Sequence, residues 1–252
     1  MRLGLAFVFL ALSAAMSPPA GAFDLDGFKS ELNDLTSPSS RPAGSGLSQF
    51  STQDQIKSLK QALTQGAETA VKDLARKDGF LGNAKVRIPL PDSLQKADKA
   101  MRRLGMGKYP DELITAMNRA AESAVPEARK LFVGAVEKMT VSDAKAILTG
   151  NDDAATLYFR KNTETALAGK FKPIVVKAMR KVKLAETYDE FAGKGAKFGL
   201  VDQRDANLED YITRKAMDGL FLMMAEQEKA IREDPLKATG NLAKQVFSAL
   251  QH

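Results

Sequence analysis

The sequence predicts an all-α fold: an irregular or orthogonal multi-helix bundle of about eight helices, with one extended arm or small hairpin near residues 79–91. Three observations carry that prediction. From Thr52 almost to the end, apolar residues recur every three or four positions. Between these runs, Gly, Pro and Asp stand where helices stop and start. A single stretch, Lys85 to Pro91, instead alternates apolar residues with polar residues or proline.

In chain order, residues 1–22 read as a secretory signal peptide. Arg2 supplies the positive start, Leu3 to Met16 is apolar, and Ser17-Pro18-Pro19 breaks the run. Ala20-Gly21-Ala22 then offers a small-x-small cleavage site. The apolar run is too short to span a bilayer comfortably, which disfavours an anchor helix. Residues 23–51 divide into a short helix over Phe23–Leu35 and a flexible linker rich in Ser, Pro and Gly over Thr36–Ser51. A single helical domain is expected over residues 52–252.

Within that domain, Ile56, Leu59, Leu63, Ala67, Val71 and Leu74 trace one helix, stopped by Gly79. Asp92 is expected to cap a helix carrying Leu94, Ala97, Met101 and Leu104, ended by Gly105 and Gly107. Pro110 suits the first turn of a helix with Leu113, Ile114, Met117, Ala121 and Ala124 on one face. Pro126 interrupts it, and a second piece carries Ala128, Leu131, Phe132, Ala135 and Met139. Thr140 and Asp143 form a capping-box pattern for a short helix ending at Gly150. A longer region from Asp153 to about Val182 is expected to be interrupted near Gly169 and Pro173. A short helix over Leu184–Phe191 and a Gly-rich bend at Gly193 and Gly195 follow. Asp205 is then expected to cap a helix with Leu208, Ile212, Leu220, Met223 and Met224. Pro235 is expected to start the last helix, with Leu242, Val246 and Phe247.

Composition narrows the chemistry. The chain has 252 residues, 44% of them hydrophobic, no Cys and one His, the terminal His252. Thiol nucleophiles, thiolate zinc sites and iron–sulfur clusters are excluded, and so is lipid attachment to a cysteine. A His-based triad or multi-His metal site is nearly ruled out. No cofactor and no metal are expected. An N-x-Ser/Thr acceptor is absent, which favours a bacterial periplasm over a eukaryotic secretory route. The formal net charge of +6 suggests anionic partners, and an exported chain meets lipid or envelope polymer rather than nucleic acid. A Lys excess that merely keeps the protein soluble accounts for the same charge.

Two constellations are candidate sites. Arg87, on an arm stiffened by prolines and glycines, can hold a carboxylate or phosphate, or can pair with an internal carboxylate. Asn118 and Glu122 stack on one helix edge, and Tyr158, Arg160 and Asn162 lie on a helix whose apolar stripe is weak. If these converge, Arg87, Asn118, Glu122, Tyr158 and Arg160 form a polar ligand pocket; a buried hydrogen-bond network explains them equally well. Lys170, Lys177, Arg180 and Lys181 are the second constellation: beside Phe171, Val175, Ala178 and Val182 they form a basic amphipathic helix that can contact membrane or anions, or be a bundle helix with a solvated face. The acidic stretches Asn151-Asp152-Asp153 and Asp202, Asp205, Asn207 fit helix capping rather than a calcium loop.

The Gly79–Pro91 arm, Met117-Asn118-Arg119-Ala120-Ala121-Glu122 with Val125-Pro126, Tyr158-Phe159-Arg160, Phe198-Gly199-Leu200-Val201-Asp202 and Ala216-Met217-Asp218-Gly219-Leu220-Phe221 occur in that order. In this the chain resembles the family called domain of unknown function 4197, over roughly residues 52–250. The resemblance implies an exported, helix-rich, mostly bacterial protein, and it implies no activity, ligand or catalytic residue. Some relatives look like lipoproteins, a pattern from which this cysteine-free chain departs. The expected function is a non-enzymatic binding or interaction module of the cell envelope, with an envelope protein or small ligand as partner. The alternatives are an anionic-lipid or membrane-surface protein and, less favoured, a carboxylate-based hydrolase.

Overall fold

The computed structural model describes residues 50–180, Val182, Ala185, 207–238 and 241–249. The expected signal peptide, first helix and linker lie outside these residues, apart from Phe50 and Ser51. So do most of the Leu184–Phe191 helix, the Gly193–Gly195 bend, Lys181 and Asp205.

The fold is an all-α multi-helix bundle, with no strand among the described residues. Helix α1 (Thr52–Ala75) starts where Ser51 Oγ accepts from Asp54 N at 3.1 Å and buries Leu59, Leu63, Ala67, Val71 and Leu74. Helix α2 (Asp92–Arg103) is followed by α3 (Lys108–Ala124), which buries Pro110, Leu113, Met117, Ala121 and Ala124. At Pro126 the chain tightens into a 3-10 turn, Val125–Glu127, and re-enters helix as α4 (Ala128–Glu137). Helix α5 (Val141–Leu148) begins at the expected reciprocal box, with Thr140 and Asp143 each satisfying the other's backbone N–H. Helices α6 (Ala154–Met179) and α7 (Leu208–Glu233) are the long central pair, and α6 also packs broadly on α3. Helix α8 (Asn241–Ser248) returns to α1. Phe132, Phe159 and Phe221 join α4, α6 and α7 in the core, with ring centroids 5.1 and 6.2 Å apart.

Several elements differ from expectation. Helix α6 runs unbroken through Gly169 and Pro173. Phe159, Thr163, Leu167, Phe171 and Val175 recur every fourth residue and are all buried, so packing on both sides of Pro173 outweighs its missing N–H. The apolar stripe of α6 looks weak in sequence because Thr156 and Thr163 occupy buried positions, while Leu157 is exposed. Helix α2 buries none of its residues; Leu94 alone packs against the core, half-buried, and Ala97 and Leu104 face solvent. Its first cap position is Pro91, and Asp92 already belongs to the helix. Asn207 caps α7, accepting from Asp210 N at 2.9 Å. Pro235 opens a 3-10 turn, Pro235–Lys237, rather than the last helix. Met223 is only half-buried.

The arm is neither strand nor hairpin. Residues 77–82 and 84–86 are turns, and 87–91 are extended without a partner strand. Its alternation nonetheless describes its packing: Val86, Ile88 and Leu90 are buried, while Arg87 and Pro89 face outward. Gly79 is required at the sharp exit from α1, because a Cβ there would overlap the carbonyl oxygens of Asp73 and Leu74.

Candidate functional site: a strapped arm and the groove beside it

Helix α3 holds the arm through two buried polar side chains. Asn118 Oδ1 accepts from Ile88 N at 2.8 Å, and its Nδ2 donates to Ile88 O at 2.9 Å and to Ile114 O at 2.8 Å. One turn on, Glu122 Oε1 accepts from Phe80 N at 3.1 Å and Leu81 N at 3.2 Å. Glu122 Oε2 takes the guanidinium of Arg119 at 2.6 Å, whose other nitrogen reaches Asp78 at 2.7 Å. These two carboxylates stabilise the charged Arg119, Glu122 the more, and raise its pKa. From the far side, Tyr211 on α7 donates to Pro89 O at 3.0 Å. A Cβ on Gly219 of α7 would stand 2.8 Å from the Phe80 ring, so a glycine lets the arm lie directly on that helix. The arm's buried backbone groups, which lack a sheet to pair with, are thereby satisfied by α3 and α7.

The five residues of the expected pocket do not share one place. Asn118 and Glu122 act together and face the arm. Tyr158 donates from its hydroxyl to Ala135 O of α4 at 2.8 Å, and burial, with the charge of Asp143 second, pushes its pKa up. Arg160 lies between Glu164 at 3.2 Å and Asp218 at 3.3 Å, with its guanidinium 4.5 Å over the Phe221 ring. Glu122, the most obvious carboxylate for a hydrolase, already accepts at both oxygens from the fold itself. Among the described residues, no group of three or more His, Asp or Glu side chains could hold a metal ion.

Arg87 is placed differently. Its backbone N–H donates to Asn83 O at 2.8 Å, while its side chain is exposed and makes no hydrogen bond or ion pair among the described residues. The hydrogen bond from Arg102, at 2.5 Å, lowers the pKa of Asp111, and the more distant charge of Arg87 adds to that. Arg87 lines an open groove of about 570 Å³ between the arm and α2. Leu81, Pro89, Leu90 and Ile114 supply its apolar walls, and Gln95, Asp98 and Lys99 face them from α2. Asp98 pairs with Arg102 at 2.7 Å, whereas Lys99 has no ion-pair partner among the described residues. The groove thus presents two cations, Arg87 and Lys99, beside an apolar floor, with Asp98, on the same wall as Lys99, shared with Arg102. Sequence reasoning found Arg87 but missed Lys99, Gln95 and the groove, because nothing local shows that α2 stands off the core.

On α6, Lys170, Lys177 and Arg180 are exposed as a solvated face, while Phe171 and Val175 beside them are fully buried in the bundle. The two largest apolar side chains of that stripe are therefore occupied by the core and are not available to a membrane, and Ala178 and Val182 are half-buried against it. Lys172, on the same helix, pairs with Asp210 at 2.6 Å. Asp153 sits at the α6 cap position but makes no capping bond; Glu228 of α7 does so instead, accepting from Ala155 N and Thr156 N at 2.9 Å each. Arg232 holds Glu228 at 3.0 Å and donates to Ile147 O, the end of α5, at 2.8 Å.

The family described as protein of unknown function (DUF4197) matches residues 49–248, and the chain belongs to it. No curated protein and no solved structure matches the chain.

Proposed function

We propose that this member of the family is exported to the cell envelope and acts there as a non-enzymatic binding module, taking a carboxylate- or phosphate-bearing small ligand in the groove between the arm and α2. One observation carries this reading: Arg87 is presented, with no carboxylate ion-paired to it among the described residues, on an arm whose backbone is fixed by Asn118, Glu122 and Tyr211. A guanidinium on a rigid support loses little freedom on binding, and its planar fork matches a carboxylate or phosphate bidentately. Lys99 adds a second charge from the opposite wall, and the apolar floor suits the non-ionic part of a ligand. Export is supported by the order of features in residues 1–22. A carboxylate-based hydrolase is not favoured, since Glu122 is committed to the arm.

Native mass spectrometry of the protein recovered from the periplasm of an export-competent host tests the reading. An extra mass that is lost in Arg87→Ala, while Tyr158→Ala retains it, is the expected result. An extra mass that persists in Arg87→Ala refutes this groove as the site.

A further inference from the structure

The connection between α2 and α3 carries a feature that the groove does not use. Among the described residues, seven large apolar side chains are exposed, and three of them fall between positions 104 and 109: Leu104 at 74%, Met106 at 41% and Tyr109 at 54%. The other four, Val141, Leu157, Leu222 and Leu236, are scattered along the chain. The turn that exposes them is well built. Met106 N donates to Met101 O at 2.8 Å and Gly105 N to Arg102 O at 3.1 Å, the paired bonds of a Schellman motif, with Gly105 at φ 74°. Arg102 then bridges Asp98 of α2 and Asp111 of α3, which locks the two helices at the base of the turn.

Charge surrounds the apolar tip. From Lys99 to Pro110 there is no acidic residue. Lys99, Arg103 and Lys108 are free of ion-pair partners among the described residues, whereas the nearest acids, Asp98 and Asp111, share the single charge of Arg102, so the tip keeps an excess of positive charge. We propose that the Leu104–Tyr109 turn is a membrane-surface contact, which places Leu104 and Met106 among the acyl chains of an anionic lipid surface while Arg103 and Lys108 meet the headgroups. A protruding turn with three apolar side chains offers far less area than a stable protein interface, about 800 Å² per partner, requires. A lipid surface needs only a few apolar side chains combined with basic ones. The inference stands independently of the groove's ligand, and it places lipid contact on the α2–α3 turn rather than on the Lys170–Arg180 face of α6.

The chain contains no Trp, so Leu104→Trp is a silent-background reporter in the full chain. With phosphatidylcholine vesicles containing phosphatidylglycerol, the expected result is a blue-shifted emission quenched by brominated acyl chains. Binding should weaken about tenfold or more in Arg103→Ala/Lys108→Ala and as salt is raised, with the circular-dichroism melt unchanged. Leu104→Ser/Met106→Ser, a second variant that keeps the turn's backbone, should reduce co-sedimentation of the otherwise unmodified protein by a similar factor, whereas Lys170→Ala/Lys177→Ala should not. No spectral shift at saturating lipid overturns the proposal. So does binding lost only in the α6 variant, which would assign the lipid contact to that face. A blue shift already present without vesicles, with a doubled mass in solution, would overturn it in favour of a second copy of the chain.

Discussion

Asn118→Ala probes the physical basis of the strap most directly. Asn118 is fully buried and makes three hydrogen bonds, two of them to the backbone of Ile88, itself 1% exposed. Truncation leaves Ile88 N and O buried without partners, and each such group costs about 1–3 kcal/mol. Partial rescue by water entering the vacated space brings the expected total to about 2–4 kcal/mol. For a folded domain of this size, each kcal/mol moves the midpoint by about 2–4 °C, so Tm should fall by about 4–16 °C. The loss should be local before it is global: hydrogen exchange should accelerate in residues 80–90 well ahead of the α6 and α7 cores. Asn118→Asp should be worse than alanine at neutral pH, because it turns a carboxylate toward the carbonyl oxygens of Ile88 and Ile114. Part of that loss should return as the pH falls and the new carboxyl, protonated, donates to one of them. An unchanged Tm together with unchanged exchange across the arm in Asn118→Ala would refute the claim that these bonds hold it.

Two further outcomes test the packing and the charge network. Gly134→Ala, in α4 where a Cβ meets open space, should stabilise the protein by about 0.5–1 kcal/mol through helix propensity. Gly219→Ala should fall short of that gain by about 1–3 kcal/mol, because Phe80 is fully buried and cannot swing clear; equal gains in chemical denaturation would sink the close approach. The second concerns pH. The Thr140 hydroxyl, and then its backbone N–H, hold the Asp143 carboxyl below its ordinary value. A depressed folded-state pKa gives stability that is present above the unfolded-state pKa and is lost as the pH falls through the folded-state value. Asp143→Asn should therefore flatten the acid limb of the stability–pH profile below about pH 4, and an identical slope in the variant would show that this capping box carries no linked proton.

Much of the local architecture was legible in the residues. The start of α1 at Thr52, the Thr140–Asp143 box, the break at Pro126 and the buried set Val86, Ile88 and Leu90 all follow from interactions within a few positions. Capping and periodic burial are properties of a short segment, so its sequence suffices to declare them. The pairing of Arg119 with Glu122 was equally readable, at i and i+3, though it was not singled out.

What only tertiary structure decided is which faces meet. Asn118 and Glu122 were recognisable as polar positions on an otherwise apolar edge, but their partners lie about thirty and forty residues away in the arm. Tyr158 and Arg160 share a helix with the core yet turn to α4 and α7, leaving Arg87 with none of its expected companions. The start of α6 is capped from α7 by Glu228, a partner that no local pattern around Asp153 could indicate. Helix α2 carries a strongly amphipathic sequence and still stays outside the core, which opens the groove and exposes the turn at Leu104. The physical reason is the same in each case. A side chain's direction along its own helix is set by helical geometry, whereas the group it encounters is set by which apolar faces compete for a single core.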